Sequence, residues 1–118
     1  MVNKDKIAII TGSSAGLGAS VAISLAKKGV NVVINYSKSE SEAKKIEKIC
    51  IEHGVETLCL KANVSIDKDC KYLVDETIKK FKKIDILVNN AGTTKFANHQ
   101  KLDALTDEDF INIYRVNV

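Results

Sequence analysis

The sequence predicts an α/β protein built on a doubly wound parallel sheet. Three observations lead there. Short apolar runs alternate with amphipathic helical stretches along the 118 residues. The runs are nearly continuous in apolar residues, as in strands buried on both faces. A glycine-spaced stretch, Thr11 to Gly18 (TGSSAGLG), stands where the first run gives way to the first helical pattern.

Lys6 to Ile10 is a short apolar run and reads as a buried strand. Leu17 to Lys28 carries Leu17, Val21, Ala22, Leu25 and Ala26 at helical spacing, and Gly29 stops it. Val30 to Tyr36 is β-branched and reads as the second strand. Ser41 to His53 is helical, with Ala43, Ile46, Ile49 and Cys50 on one side and Gly54 as the stop. Thr57 to Ala62 is the third strand. Asp67 to Phe81 is a helix with Ser65 as its expected N-cap and Cys70, Leu73, Val74, Thr77, Ile78 and Phe81 as its buried stripe. Ile84 to Asn89 is the fourth strand, and a loop follows from Gly92. Thr106, followed by Asp107, Glu108 and Asp109, reads as the start of a last helix. The expected order is β-α-β-α-β-α-β-α. Right-handed crossovers then place a ligand crevice at the carboxyl ends of the strands, where strand order reverses.

Composition narrows the class. Hydrophobic residues make up 45% and charged residues 28%, the balance of a globular domain with a real core, here taken as one domain over 1–118. The net charge of +3 comes from 18 basic and 15 acidic residues that are interleaved, so no nucleic-acid footprint is expected. The densest basic stretch, Lys79 to Lys83, closes a helical pattern and complements the helix dipole. No stretch approaches the roughly 18 apolar residues of a membrane span, and the polar N-terminus is no secretory signal. Cys50, Cys59 and Cys70 form no C-x-x-C pair and sit at apolar positions, so small core residues and a cytoplasmic setting are expected. His53 and His99 lie too far apart to suggest a metal pair, and no metal site is expected.

The glycine stretch carries the chemistry. Its spacing is Gly12-x-x-x-Gly16-x-Gly18. Gly12 allows a tight strand-to-helix turn, Gly16 lets a pyrophosphate approach the backbone, and Gly18 lets the helix pack on the sheet. The amides at a helix start favour an anion, and Ser13 and Ser14 can donate further hydrogen bonds. A phosphate-binding P-loop would need G-K-[ST] after the second glycine, where Leu17-Gly18 stands.

TGSSAGLG resembles the T-G-x-x-x-G-x-G motif of the short-chain dehydrogenase/reductase family. NNAG (Asn89 to Gly92), at the end of the fourth strand, resembles that family's second signature. The resemblance covers the whole chain, and sequences of this pattern are common among 3-oxoacyl-carrier-protein reductases and glucose dehydrogenase-like members. It implies a Rossmann fold, of which these residues are the N-terminal portion. It implies that Gly12, Ser14, Gly16, Leu17 and Gly18 surround the cofactor's pyrophosphate and adenosine ribose. It implies that Asn63 and Val64 contact adenine, with Asn63 as acceptor where an aspartate is commoner. Asn90, Ala91 and Gly92 would line the ribose. Asn117, in VNV, resembles the asparagine that completes a catalytic tetrad by holding a water.

An acidic residue at the end of the second strand would bind a ribose 2′-hydroxyl and repel a 2′-phosphate. Tyr36 occupies that position, followed by Ser37 and Lys38, which can donate a hydrogen bond and a charge. NADP(H) is therefore favoured over NAD(H). The family's chemistry is hydride transfer between nicotinamide and a carbonyl or alcohol substrate, with a serine and a Y-x-x-x-K pair. Tyr36, Tyr72 and Tyr114 are followed four residues on by Glu40, Glu76 and Val118, so none fits. Serine and Y-x-x-x-K are expected after Val118. The family resemblance implies a dimer or tetramer, and an unpaired outer edge on the fourth strand would favour association. The alternative is a catalytically silent nucleotide-binding or interaction module, or a truncated gene product, ending at residue 118.

Overall fold

The computed structural model describes residues 5–90 and the backbone of residues 112–115. Its elements are β1 (Ile7–Ile10), α1 (Gly16–Lys27), β2 (Asn31–Tyr36), α2 (Glu40–Glu52), β3 (Thr57–Lys61), α3 (Asp67–Phe81), β4 (Ile86–Asn89) and β5 (Asn112–Arg115). The sheet order is β3-β2-β1-β4-β5. β1, β2, β3 and β4 run parallel, with Ile10 opposite Ile34 on one side and Val88 on the other. The chain thus winds outward from β1 to β3 and then returns to the far side of β1. Strand order reverses between β1 and β4, and the glycine stretch leaves β1 at that point.

The period-2 pleat divides the core into two layers. Ala8, Ile10, Val32, Ile34 and Val88 face α1 and α2, whose Ala22, Ala26, Ala43 and Cys50 are fully buried. Ile9, Val33 and Leu87 face α3, which contributes Cys70 and Leu73. Small residues on α1 let it approach the sheet closely. On α3 the larger Leu73 fills the gap, and its burial contributes roughly 1.5–3 kcal/mol. Cys59 is half-buried between its neighbours. Burial, with a smaller contribution from Glu47, pushes the Cys50 thiol up to about 11.

Four sequence expectations are corrected. Ser65 does not cap α3: Ile66 is the N-cap residue and makes no side-chain cap bond, while the Ser65 hydroxyl donates to Asn63 Oδ1 at 2.6 Å. Leu17, expected on the helix's apolar stripe, is 59% exposed; it lies in the first turn of α1, just after the glycine turn that leaves β1. Of the last helix expected from Thr106, residues 106–111 lie outside the described residues, and Asn112–Arg115 form a strand instead. That strand runs antiparallel to β4, pairing Ile86 with Arg115 and Asn89 with Asn112, so β4 has no unpaired outer edge. The polar first-turn signals at Thr106 act only locally. Ile113 and Tyr114 are good strand formers, and the open backbone groups of β4 give them a partner.

Candidate functional site at the carboxyl ends of β1 and β4

The glycine turn owes its shape to backbone that only glycine adopts easily. Gly12 and Gly16 have φ of 61° and 57°. Nothing stands within 4 Å of where a Cβ on Gly16 would point. That open space beside bare backbone is what a close-approaching ligand requires. Gly18 has the opposite surroundings: a Cβ there would lie 2.4 Å from the Gly12 carbonyl oxygen and 2.6 Å from Asn90 Nδ2. Gly18 is a packing glycine, whereas the space beside Gly16 is open.

α1 starts at Gly16 behind Ala15, which offers no side-chain cap. The first-turn amides of a helix have no intrahelical acceptor, and the helix dipole adds partial positive charge there. No acidic residue lies in that turn to compete for them. Ser14 is half-buried beside it, and Ala15, Gly16 and Leu17 are exposed.

The Asn90 side chain ties the second motif to the first. Its amide donates to the Gly12 carbonyl at 3.2 Å, and its backbone N–H donates to Thr11 Oγ1 at 2.9 Å. Thr11 N–H in turn donates to Val88 O at 3.0 Å. Residues 11–12 and 88–90 therefore form one hydrogen-bonded unit at the switch point. Ala91, Gly92 and Asn117 lie outside the described residues, as does His99.

Ser13 does not serve an anion as expected. It is fully buried, and its hydroxyl donates inward to Ile10 O at 2.7 Å while accepting from Asn35 N–H at 2.9 Å. Asn35, 2% exposed, went unnoticed in the sequence because it reads as one polar residue in an apolar strand. Its position one residue before Tyr36, at the carboxyl end of β2, was the available signal.

At the end of β2, Tyr36 is buried, and Ser37 and Lys38 are exposed. Burial and then the charge of Glu40 raise the Tyr36 phenol above its ordinary value. Lys38 has no ion-pair partner among the described residues. At the end of β3, Asn63 Oδ1 accepts from both Ser65 N–H at 3.0 Å and Ser65 Oγ at 2.6 Å. That oxygen's expected role toward adenine therefore requires the Ser65 hydroxyl to turn away. Val64 beside it is half-buried.

Sheet order, glycine turn and the Asn90 tie together define a member of a known enzyme family. Residues 6–118 match the short chain dehydrogenase family, and the chain belongs to it. It is 39% identical over 113 residues to versicolorin reductase 1 of Dothistroma septosporum, covering 95% of this chain and 41% of that protein. It is 40% identical over 91 residues to a 3-oxoacyl-[acyl-carrier-protein] reductase of Staphylococcus epidermidis, covering 77% of this chain and 37% of that one. Among solved structures, a short chain dehydrogenase from Burkholderia cenocepacia J2315 in complex with NADP superposes with a TM-score of 0.73 at 34% identity. That match covers 76% of this chain and 37% of the other. The chain thus spans about 40% of the length of the curated relatives it matches. Among the described residues, no helix is long and apolar enough to cross a membrane.

Proposed function

We propose that this chain is the dinucleotide-binding part of an NADPH-dependent oxidoreductase that reduces a carbonyl compound, such as a 3-oxoacyl thioester or a small ketone. The observation that carries the reading is the glycine turn at the switch point. Gly16 offers open, positive-φ backbone beside uncapped helix amides. A pyrophosphate fits that donor set, being anionic and needing close backbone approach.

In this reading the first-turn amides from Gly16 and Leu17 and the Ser14 hydroxyl hold the pyrophosphate. Gly12 and Gly18 shape the turn. Tyr36, Ser37 and Lys38 surround the adenosine ribose, with Lys38 placed for a 2′-phosphate. Asn63 and Val64 border adenine, and Asn90, Ala91 and Gly92 line the second ribose. Asn117 holds the catalytic water. The bound cofactor supplies a hydride, and the family's serine and Tyr-x-x-x-Lys pair, which polarise the carbonyl and donate the proton, lie beyond Val118. Residues 1–118 are then an incomplete single domain of a cytoplasmic homo-oligomer. The 3-oxoacyl reductase relative and the NADP complex among the solved structures support the choice of substrate class and cofactor.

The test joins three measurements on the protein made from its native gene: intact mass, NADPH and NADH binding by nicotinamide fluorescence, and NADPH oxidation with an acetoacetyl thioester. A mass well above 12.9 kDa, tighter binding of NADPH and thioester-dependent oxidation are expected. Binding without oxidation of any carbonyl would favour a silent nucleotide-binding module. No binding of either dinucleotide would overturn the reading.

A further inference from the structure

We propose that Asn35 is a positioning residue that locks the glycine turn to the end of β3, so that the pyrophosphate and adenine subsites are set as one unit. The proposal rests on the dinucleotide-binding reading above. Asn35 places a carboxamide near the carboxyl end of β2 at 2% exposure, where an unpaired amide would be costly. Its Oδ1 accepts from Gly12 N–H at 2.9 Å. Its Nδ2 donates to Ala62 O at 3.1 Å, with a longer contact to Tyr36 O at 3.4 Å. Its backbone oxygen accepts from Ser13 N–H at 3.0 Å, and its backbone N–H donates to Ser13 Oγ at 2.9 Å. One residue therefore grips two successive residues of the glycine turn and the carbonyl immediately before Asn63.

The chemistry requires asparagine. One side must accept from an amide and the other must donate to a carbonyl. The reversed amide would set N–H against N–H at Gly12 and oxygen against oxygen at Ala62, so the orientation is fixed. Aspartate would keep the Gly12 bond and put a carboxylate oxygen against the Ala62 carbonyl. Leucine would lose both bonds. The lock matters because a glycine at positive φ has other basins of similar energy. Fixing the Gly12 amide selects one turn conformation before the ligand arrives, which lowers the ordering cost of binding. It also withdraws the Gly12 amide from the anion and leaves that task to the first turn of α1.

The full chain and its Asn35→Asp and Asn35→Leu variants are compared for binding of NADPH, which spans both subsites, and of adenosine 2′-monophosphate, which has no 5′-phosphate and occupies the adenine side alone. At temperatures where circular dichroism shows a folded variant, Asn35→Asp is expected to weaken NADPH by about tenfold or more and adenosine 2′-monophosphate by about twofold. Equal affinity for NADPH in wild type and folded variant, with only a lower melting temperature, would overturn the positioning role. Should neither variant fold, amide exchange in the unliganded wild type decides. The Gly12 amide, which bonds Asn35 Oδ1 on an otherwise exposed residue, is expected to exchange about a hundredfold slower than an unstructured glycine, and unprotected exchange would sink the lock. If wild type binds neither probe, the dinucleotide reading itself fails, an outcome distinct from an intact site that ignores Asn35.

Discussion

A Cβ on Gly18 would stand 2.4 Å from the carbonyl oxygen of Gly12, whereas a Cβ on Gly16 would meet nothing within 4 Å. The two glycines of one motif thus answer to different neighbours, one to the protein's own backbone and one to open space. The contrast separates stability from binding.

Gly18→Ala is expected to destabilise the fold by about 1–3 kcal/mol, because backbone must shift to admit the methyl group. Gly16→Ala should cost only about 1–2 kcal/mol of left-handed backbone strain, yet weaken NADPH by more than that strain explains. Urea unfolding and fluorescence titration of both variants check the split. Equal losses of affinity per unit of lost stability would contradict it.

The dinucleotide preference should follow the charge at the end of β2. Lys38→Ala is expected to weaken NADPH about fivefold and leave NADH nearly unchanged, a modest effect because Lys38 is exposed. Tyr36→Asp should go further and favour NADH, since a carboxylate there accepts from a 2′-hydroxyl and repels a 2′-phosphate. Paired titrations with the two cofactors read this directly. Parallel changes for both would remove the 2′-phosphate assignment.

Lys82 ends α3 at φ 72° without being glycine. Its N–H donates to Ile78 O at 2.8 Å, closing the last turn. Lys82→Gly keeps that bond and relieves about 1–2 kcal/mol of steric strain, offset in part by the flexibility of glycine in the unfolded chain. A net gain of roughly 1 kcal/mol in urea unfolding is expected.

Cys50 links stability to alkaline pH. Its folded pKa is raised from 9.0 to about 11, chiefly by burial. The unfolded chain therefore loses its thiol proton first as pH rises. The stability contribution is fully present below pH 9.0, declines above it, and is lost as pH rises through about 11. The stability difference between wild type and Cys50→Ala should shrink across that window. Folded protein at pH 8 should also resist thiol reagents at Cys50. Rapid modification there without unfolding would contradict the burial.

Much of this architecture was written in local patterns. The β-branched run at Val32 to Ile34, the stripe of Cys70, Leu73 and Thr77, and the glycines at 12, 16 and 18 act through periodicity and backbone freedom, which are properties of neighbouring residues. They determined the parallel α/β class, α3 to the residue, and the place of the glycine turn. Tertiary structure decided what depended on partners distant in the chain. Asn35 sits 23 residues from Gly12, and nothing local shows that its amide would find Gly12 on one side and Ala62 on the other. The Ser13 hydroxyl turned inward because Asn35 and Ile10 lay there, and Ser65 served Asn63 rather than the helix. At Asn112–Arg115 the open edge of β4 favoured a strand where local polar signals upstream had suggested a helix. At Gly12, Ser13 and Asn112–Arg115 a partner from another strand chose between local options of similar energy, whereas at Ser65 the competing partner, Asn63, lies two residues away and the choice was between two local bonds.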